Sequence, residues 1–304
     1  MNFEDLEAFL TVVTQGSITS AAEHLYTTQS AISKRLNQLE SDVGVTLVVR
    51  KKGKRRIKLT PQGEAFLELA KQMESLLRDL KQIQSAASLH EVSIAAIDLV
   101  NNFTFKDLYS YILEEKEDLR LDIHTRHSNE IYLMASSHQI DLGISNLLLP
   151  GNHVKITPLY KEKMLVITYP EDKKGTIIKS KDLDPALEIY SRWSKEYEIW
   201  HDQMWPGKQY RMHVGTSSMI PYHLNKPGRW AICPYSSVSG MIDQFHFDYR
   251  YLEEETPDRT FYMIEPVYER DSRKESIKYF KECMMTYLKE IISHSNGLME
   301  WCKK

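Results

Sequence analysis

The sequence predicts an α/β protein: an N-terminal winged helix-turn-helix with a long linker helix, then a two-lobed α/β domain. Three observations predict it. Residues 27–40, TTQSAISKRLNQLE, combine polar opening turns with a helical apolar rhythm and precede a run of seven basic residues in nine, Arg50 to Lys58. Apolar residues between 66 and 87 recur at alternating spacings of three and four. From residue 91 onward, strand-like and helix-like runs alternate over more than two hundred residues. A chain of 304 residues exceeds one ordinary core, so two or three domains are expected.

The first element follows from Leu6, Phe9, Leu10 and Val13, whose helical spacing makes 3–15 an amphipathic helix. Gly16 and Ser17 end it and begin a short helix in which Ala21, Ala22 and Leu25 leave room for a neighbour. After a turn at Tyr26 and Thr27, Thr28 is placed to cap a third helix. Its buried stripe is Ala31, Ile32, Leu36, Leu39 and Val43. Gln29, Ser30, Ser33 and Lys34 fall on the opening turns, away from that stripe. A helix-turn-helix sets such turns against base edges in the major groove, where Gln suits adenine, Lys guanine and Ser several partners. A helical hairpin with a solvated polar face is the plainer alternative.

Thr46–Val49 and Ile57–Leu59 read as two strands joined through RKKGKRR. A ribbon with a cationic tip beside a recognition helix is a wing suited to the phosphate backbone. A solvated charged loop is the alternative, although cations packed this tightly repel one another unless an anion relieves them. Thr28, Arg35, Arg50, Lys51, Lys52, Lys54 and Arg55 are the candidate backbone contacts, on double-stranded DNA. The rest of the chain has the opposite balance, with 27 Lys and Arg against 32 Asp and Glu after residue 88. From Pro61, favoured at a first helical position, a helix extends to about Ser88. Phe66, Leu69, Met73, Leu76, Leu80 and Ile83 form its a/d seam, which suits a partner helix and hence a dimer. A dimer presents two recognition helices to two half-sites.

In the remainder, EVSIAAI, LRLDIHTRH and IDLGIS are strands separated by helices at 103–117 and 130–136. That rhythm predicts a mainly parallel sheet with helices on both faces. MLVITYP opens a second series containing LEIYSRW, YRMHV and RWAICP, with helices at 196–205, 217–225 and 236–244. RTFYMIEPV returns, and 276–293 is a late helix. A chain that leaves one sheet, builds another and comes back makes two lobes with a cleft. The boundaries are 1–60 for the DNA-binding domain, 61–89 for the linker helix and 90–304 for the rest. Lobe I takes 90–161 and 266–304, and lobe II takes 162–265.

Residues 1–88 resemble the DNA-binding end of LysR-type transcriptional regulators. GSITSAAEHL, TQSAISKRLNQLE, VGVTLVVR and LTPQG carry the resemblance, in order and at the family's spacing. Gln29, Ser30, Ser33 and Lys34 fall where the family touches DNA, and Arg50 sits at its usual place before the wing. Ser30 stands where many members have proline, and Val48 and Val49 replace a pair that more often contains phenylalanine. IDLGIS, PLYKEKMLVITYP and WAICPYSSV resemble the family's effector domain, which folds like periplasmic solute-binding proteins. The resemblance implies a ligand-responsive transcription regulator, homodimeric or homotetrameric, with a small-molecule effector between the lobes.

In that fold, ligands lie outside the carboxyl ends of strands. Those ends place Asp98, Leu99, Val100, Asn101, Ser128, Asn129, Arg192, Trp193, Thr216, Ser217 and Ser218 around the cleft. Short polar residues before helices form anion sites or simply cap the helices. Arg192 suits a ligand carboxylate or phosphate, or an interlobe ion pair. Asp98 suits an amine, a hydroxyl, a metal-bridged ligand or a cap. Tyr197, Trp200 and Met204 share a helical stripe and read as core, whereas Trp193 and Trp205 are candidates for the cleft wall.

No phosphate-loop, dinucleotide, nucleophile-elbow or zinc-protease motif occurs, so no enzyme and no cofactor are expected. His124 and His127 lie three apart on a strand, facing opposite sides, which argues against a metal pair. Cys233, Cys283 and Cys302 form no CxxC pair, and no exposed pair suggests a redox switch. No apolar run reaches membrane-spanning length. The acidic amphipathic N-terminus is unlike a signal peptide, which predicts a cytoplasmic protein. The rival functions are a small-molecule-binding protein with a helical extension and an enzyme with its site in the cleft.

Overall fold

The computed structural model describes residues 2–49, 57–83, 90–149, 154–170, 176–268 and 271–302. Two compact units emerge. One comprises Met1–Ser88 with Ser137–Gln139, and the other Leu89–Ser136 with Ile140–Lys304.

In the first unit, α1 spans Phe3–Gln15, α2 Ile18–His24 and α3 Gln29–Val43. A capping box starts α1: Asn2 Oδ1 accepts from the Asp5 N–H at 2.9 Å, and the Asp5 carboxylate accepts from the Asn2 N–H at 3.1 Å. Ser17 Oγ caps α2 by accepting from the Ser20 N–H. Two short strands, β1 (Val48–Val49) and β2 (Lys58–Leu59), pair antiparallel, and α4 runs Pro61–Ile83. Leu6, Phe9, Val12, Ala21, Ile32, Leu36 and Leu39 close the core, joined by Leu47, Phe66 and Ala70. Glu40 Oε1 accepts from the N–H groups of Leu47 and Val48, which fixes β1 against α3. Gly63 is required where α4 meets that segment: a Cβ there would come within 2.0 Å of the Leu47 carbonyl oxygen.

The seam expected along α4 divides. Phe66 packs edge-on against Phe9 with centroids 5.3 Å apart, and Met73 joins the same core. Leu69 and Leu76, by contrast, are 55% and 61% exposed. The side chains of Leu80 and Ile83 lie outside the described residues. One of the two alternating seam positions, at Phe66 and Met73, therefore serves the unit's own core, which an a/d pattern does not distinguish from intermolecular pairing.

The second unit has strands β3 (Glu91–Ala96), β4 (Arg120–Thr125), β5 (Leu142–Ser145), β6 (Val154–Glu162), β7 (Met164–Thr168), β8 (Ile177–Ile178), β9 (Ile189–Tyr190), β10 (Met212–His213), β11 (Trp230–Pro234), β12 (Asp248–Leu252), β13 (Arg259–Pro266) and β14 (Met299–Trp301). Its helices are α5 (Lys106–Glu115), α6 (Ser128–Ser136), α7 (Lys195–Met204), α8 (Ile220–His223), α9 (Tyr235–Met241) and α10 (Lys274–His294). The first lobe's sheet has the order β14-β6-β13-β5-β3-β4. On β3, Val92, Ile94 and Ala96 face α5 and α10, whereas Ala95 faces α6. The second lobe is built on β11-β7-β12-β8 with a separate β10-β9 pair.

Neither large sheet is mainly parallel. Only β3 with β4, β3 with β5 and β12 with β8 pair in parallel there, and the other pairings are antiparallel. The βαβαβ reading holds for β3 to β5 and fails beyond, because β6, β12 and β14 are not evident from apolar alternation. Pro158 disguises β6. The register shifts between Phe261 and Tyr262, which pair with Tyr160 and Pro158, and an irregularity of this kind tolerates a missing N–H. Strand β13 lies in the first sheet from Arg259 onward, so the return from the second lobe precedes it.

Candidate nucleic-acid interface and ligand cleft

In the first unit the apolar support of α3 leaves one face to solvent. Ile32, Leu36 and Leu39 are fully buried, while Gln29, Ser30 and Lys34 are exposed and Ser33 is half-buried. Thr28 Oγ1 accepts from the Ala31 N–H at 3.2 Å and lies 2.9 Å from Ser30 Oγ, so the expected cap is present. Before it, Tyr26 adopts φ 51° and is 99% exposed, which directs an aromatic ring outward from the turn. Arg35 is paired with Glu4 at 2.6 Å and is committed to holding α1 and α3 together. Arg50, Lys51, Lys52, Lys54 and Arg55 lie outside the described residues. Lys58, on β2, is exposed.

In the second unit a cavity of about 950 Å³ opens between the lobes. It is lined by segments 97–99, 125–128, 146–148, 192–197, 215–217 and 257–260, with Glu130, Met164 and Tyr262. Asp98, Leu99, Ser128, Arg192, Trp193, Thr216 and Ser217 therefore come together. Four expected residues do not line it. Val100 is fully buried in the core of the first lobe. Asn101 is occupied: its Nδ2 donates to the His124 carbonyl at 3.0 Å and to Thr125 Oγ1 at 2.9 Å, and its Oδ1 accepts from Tyr109 at 2.7 Å. Asn129 is exposed on α6 outside the lining. Ser218 donates both its N–H, at 2.7 Å, and its Oγ–H, at 3.0 Å, to the Asp98 carboxylate.

That last pair engages Asp98 within the protein. Asp98 also accepts from Asn102 Nδ2 at 2.8 Å, so three protein donors satisfy it. It acts as a clasp from the first lobe to the start of the 3₁₀ turn Ser217–Met219 in the second. Two further ties cross the lobes. Asn146 Nδ2 donates to the Trp193 carbonyl at 3.1 Å, and Thr104 and Ser236 hydroxyls meet at 3.1 Å. Behind them α9 packs on a π-helical turn, Val100–Thr104, so closely that a Cβ on Gly240 would lie 2.4 Å from the Phe103 carbonyl oxygen.

The aromatic candidates separate. Trp193 lines the cleft and donates from Nε1 to the Ile232 carbonyl at 2.9 Å. Trp205 does not line it. Its Nε1 donates to the Ser180 carbonyl, and its ring packs among Trp200, His201 and Trp230. Arg192 is 64% exposed and paired with Glu198 at 3.0 Å.

Among the described residues lining the cleft, Arg259 is a buried cation whose Nε and Nη1 have no hydrogen-bond partner, and the sequence reading missed it. It opens β13 on the same inward face as Phe261 and Met263. Nearby, Glu162 Oε2 accepts from the Ser236 N–H at 2.7 Å. Burial pushes the Glu162 carboxyl up to about 7, against the opposing pull of the Ser236 N–H and the Arg259 charge. Burial likewise pushes the Cys233 thiol up. His124 lies 3.0 Å from Asp122, and no cluster of three metal-ligating side chains occurs among the described residues.

Residues 3–64 match the family model described as bacterial regulatory helix-turn-helix protein, lysR family. That segment carries the helix-turn-helix of the LysR family. The chain is 26% identical over 178 residues to the uncharacterized HTH-type transcriptional regulator YcgK of Bacillus subtilis (strain 168), covering 57% of this chain and 54% of that one. It is 32% identical over 146 residues to the HTH-type transcriptional regulator HdfR of Yersinia pestis (strain Pestoides F), covering 48% and 49% respectively. The chain thus spans about half the length of the curated relatives it matches. Its fold is that of full-length CbnR, solved in complex with its target DNA: TM-score 0.64, 19% identity, 94% of this chain and 100% of that one. Among the described residues no helix is long and apolar enough to cross a membrane.

Proposed function

We propose that this chain is a sequence-specific DNA-binding transcriptional regulator. It acts in the cytoplasm as a homodimer or homotetramer, and a small molecule held between its lobes alters how DNA is held. It binds and does not catalyse. One observation carries the reading: α3 presents Gln29, Ser30, Ser33 and Lys34 outward while Ile32, Leu36 and Leu39 anchor it. An apolar-backed helix with a polar opening face, following a tight turn, has the form of a major-groove reader. The likeness to a regulator solved on its target DNA supports the same use. Leu69 and Leu76, exposed seven residues apart on α4, supply the start of a pairing face, and Leu80 and Ile83 continue the heptad spacing.

The test is selection of genomic fragments by the purified chain, followed by titration of a selected site and a shuffled competitor over a range of salt. A preference for the selected site, with affinity falling steeply as salt rises, is expected. No preference for any fragment refutes the reading. A cleft ligand must then change operator affinity, with a coupling of about 1–3 kcal/mol.

A further inference from the structure

Arg259 is 8% exposed and lines the cleft. Its guanidinium carbon lies 4.9 Å from the ring centroids of both Trp193 and Phe261. Its Nε and Nη1 are buried without a hydrogen-bond partner, and it forms no ion pair among the described residues. Aromatic faces offset part of the cost of burying such a cation but satisfy none of its N–H donors. Glu162 attracts it, yet one Glu162 oxygen is taken by the Ser236 N–H and the other has no partner.

Of the other cations lining the cleft, Arg126 is exposed and donates to the Thr125 carbonyl, and the remaining principal charges are paired. Arg192 and Lys195 share Glu198, Asp258 holds Lys163, and Asp98 has its three donors. A guanidinium presents a planar fork that matches the two oxygens of a carboxylate. We propose that the cleft binds a small carboxylate whose oxygens pair with the Arg259 guanidinium. This rests on the reading of the cleft as a ligand site. It moves the anion anchor from Arg192, which the sequence suggests, to Arg259.

The full-length protein is titrated calorimetrically and by thermal shift with propionate, succinate and benzoate, with the three matching amides, and with inorganic phosphate, at constant ionic strength. At least one carboxylate is expected to bind and raise the melting temperature, and its amide to bind at least tenfold more weakly. Arg259→Met abolishes that binding. Arg259→Lys, which keeps the charge and covers the case in which the methionine variant does not fold, weakens it about tenfold because the fork is lost. Lys289→Met, a charge loss on the exposed face of α10, leaves it unchanged. Carboxylate binding that survives in both Arg259 variants overturns the proposal. So does an amide that binds as tightly as its acid and is lost in Ser128→Trp, a result that leaves the cleft a ligand site. Binding of phosphate alone, or of none of the compounds, overturns the carboxylate assignment too, while the DNA-binding reading stands or falls on fragment selection.

Discussion

The N-terminal unit and the cleft-bearing unit use polar groups in opposite ways. In the first, the outward polar residues rest on a fully apolar support, and the local caps are closed by neighbours three residues away. In the second, charges lie inside, and their partners come from distant parts of the chain, as with Asp98 and Ser218 or Glu162 and Ser236. The first arrangement tolerates change on its surface and fails when its support is cut. The second buries Arg259 and Glu162 at a cost that burial imposes on each charge, so pH and an added anion are the perturbations expected to act there.

The strongest break of this contrast is in the support. Phe66→Ala removes a ring packed on Phe9 and should destabilise the N-terminal unit by about 3–5 kcal/mol. Leu69→Ala, one turn away and largely exposed, should change that unit's stability little and instead shift the monomer–dimer equilibrium. Denaturant melts of each variant, with sedimentation of the second, separate the two roles. Equal destabilisation by both would mean that the seam is not divided.

The buried carboxylate gives the next effect. Glu162 is raised from 4.5 to about 7 when folded. Between those values the folded chain holds a proton that the unfolded chain releases, so stability falls as pH rises through that range. The loss is complete above about 7. Glu162→Gln removes the charge and keeps an oxygen for the Ser236 N–H. It should therefore gain up to about 3 kcal/mol over the parent at pH 8 and almost nothing near pH 4. Urea melts at both values decide it. A constant difference across pH would show that Glu162 titrates normally.

How far the sequence revealed these features follows the same division. Helices α1 to α3 and the start of α4 were legible to within a residue or two, since an apolar stripe of period 3.6 and a Ser, Thr or Asn cap are local signals, whereas the expected end of α4 near Ser88 lies outside the described residues. The division of the α4 seam was not, because Phe66 and Leu69 obey one heptad rule and only Phe9 tells them apart. In the cleft, the strand ends at Asp98, Ser128, Trp193 and Thr216 were found. Arg259 was passed over because a charged residue opening a strand reads as surface. The available clue was its parity with Phe261 and Met263, two and four positions on. Asn101 was misplaced for a related reason: Tyr109, His124 and Thr125, which occupy its side chain, lie 8 to 24 residues ahead.

On the recognition face, Lys34→Ala should weaken a preferred site by about 1–3 kcal/mol more than it weakens random DNA. Substitutions at Lys51, Lys52 and Arg55 should weaken both equally and lower the salt dependence. Competition titrations against a shuffled duplex measure the difference. Equal losses at every position would remove Lys34 from the base-reading group.

The smallest effect, at Thr28, tests whether one hydroxyl has one role or two. Its Oγ1 accepts from the Ala31 N–H and lies beside Ser30 Oγ, so Thr28→Ala should cost the unit about 1 kcal/mol through the lost cap. A hydroxyl that also donates to a phosphate would weaken DNA binding beyond that loss. Thr28→Asp separates the roles, because a carboxylate caps the helix as well as a hydroxyl but repels phosphate. If Thr28 serves only the helix, the aspartate variant melts like the parent and binds DNA with an affinity changed only by the general charge. If it also touches the backbone, stability returns while binding falls further than in Thr28→Ala, and by a similar amount on every sequence.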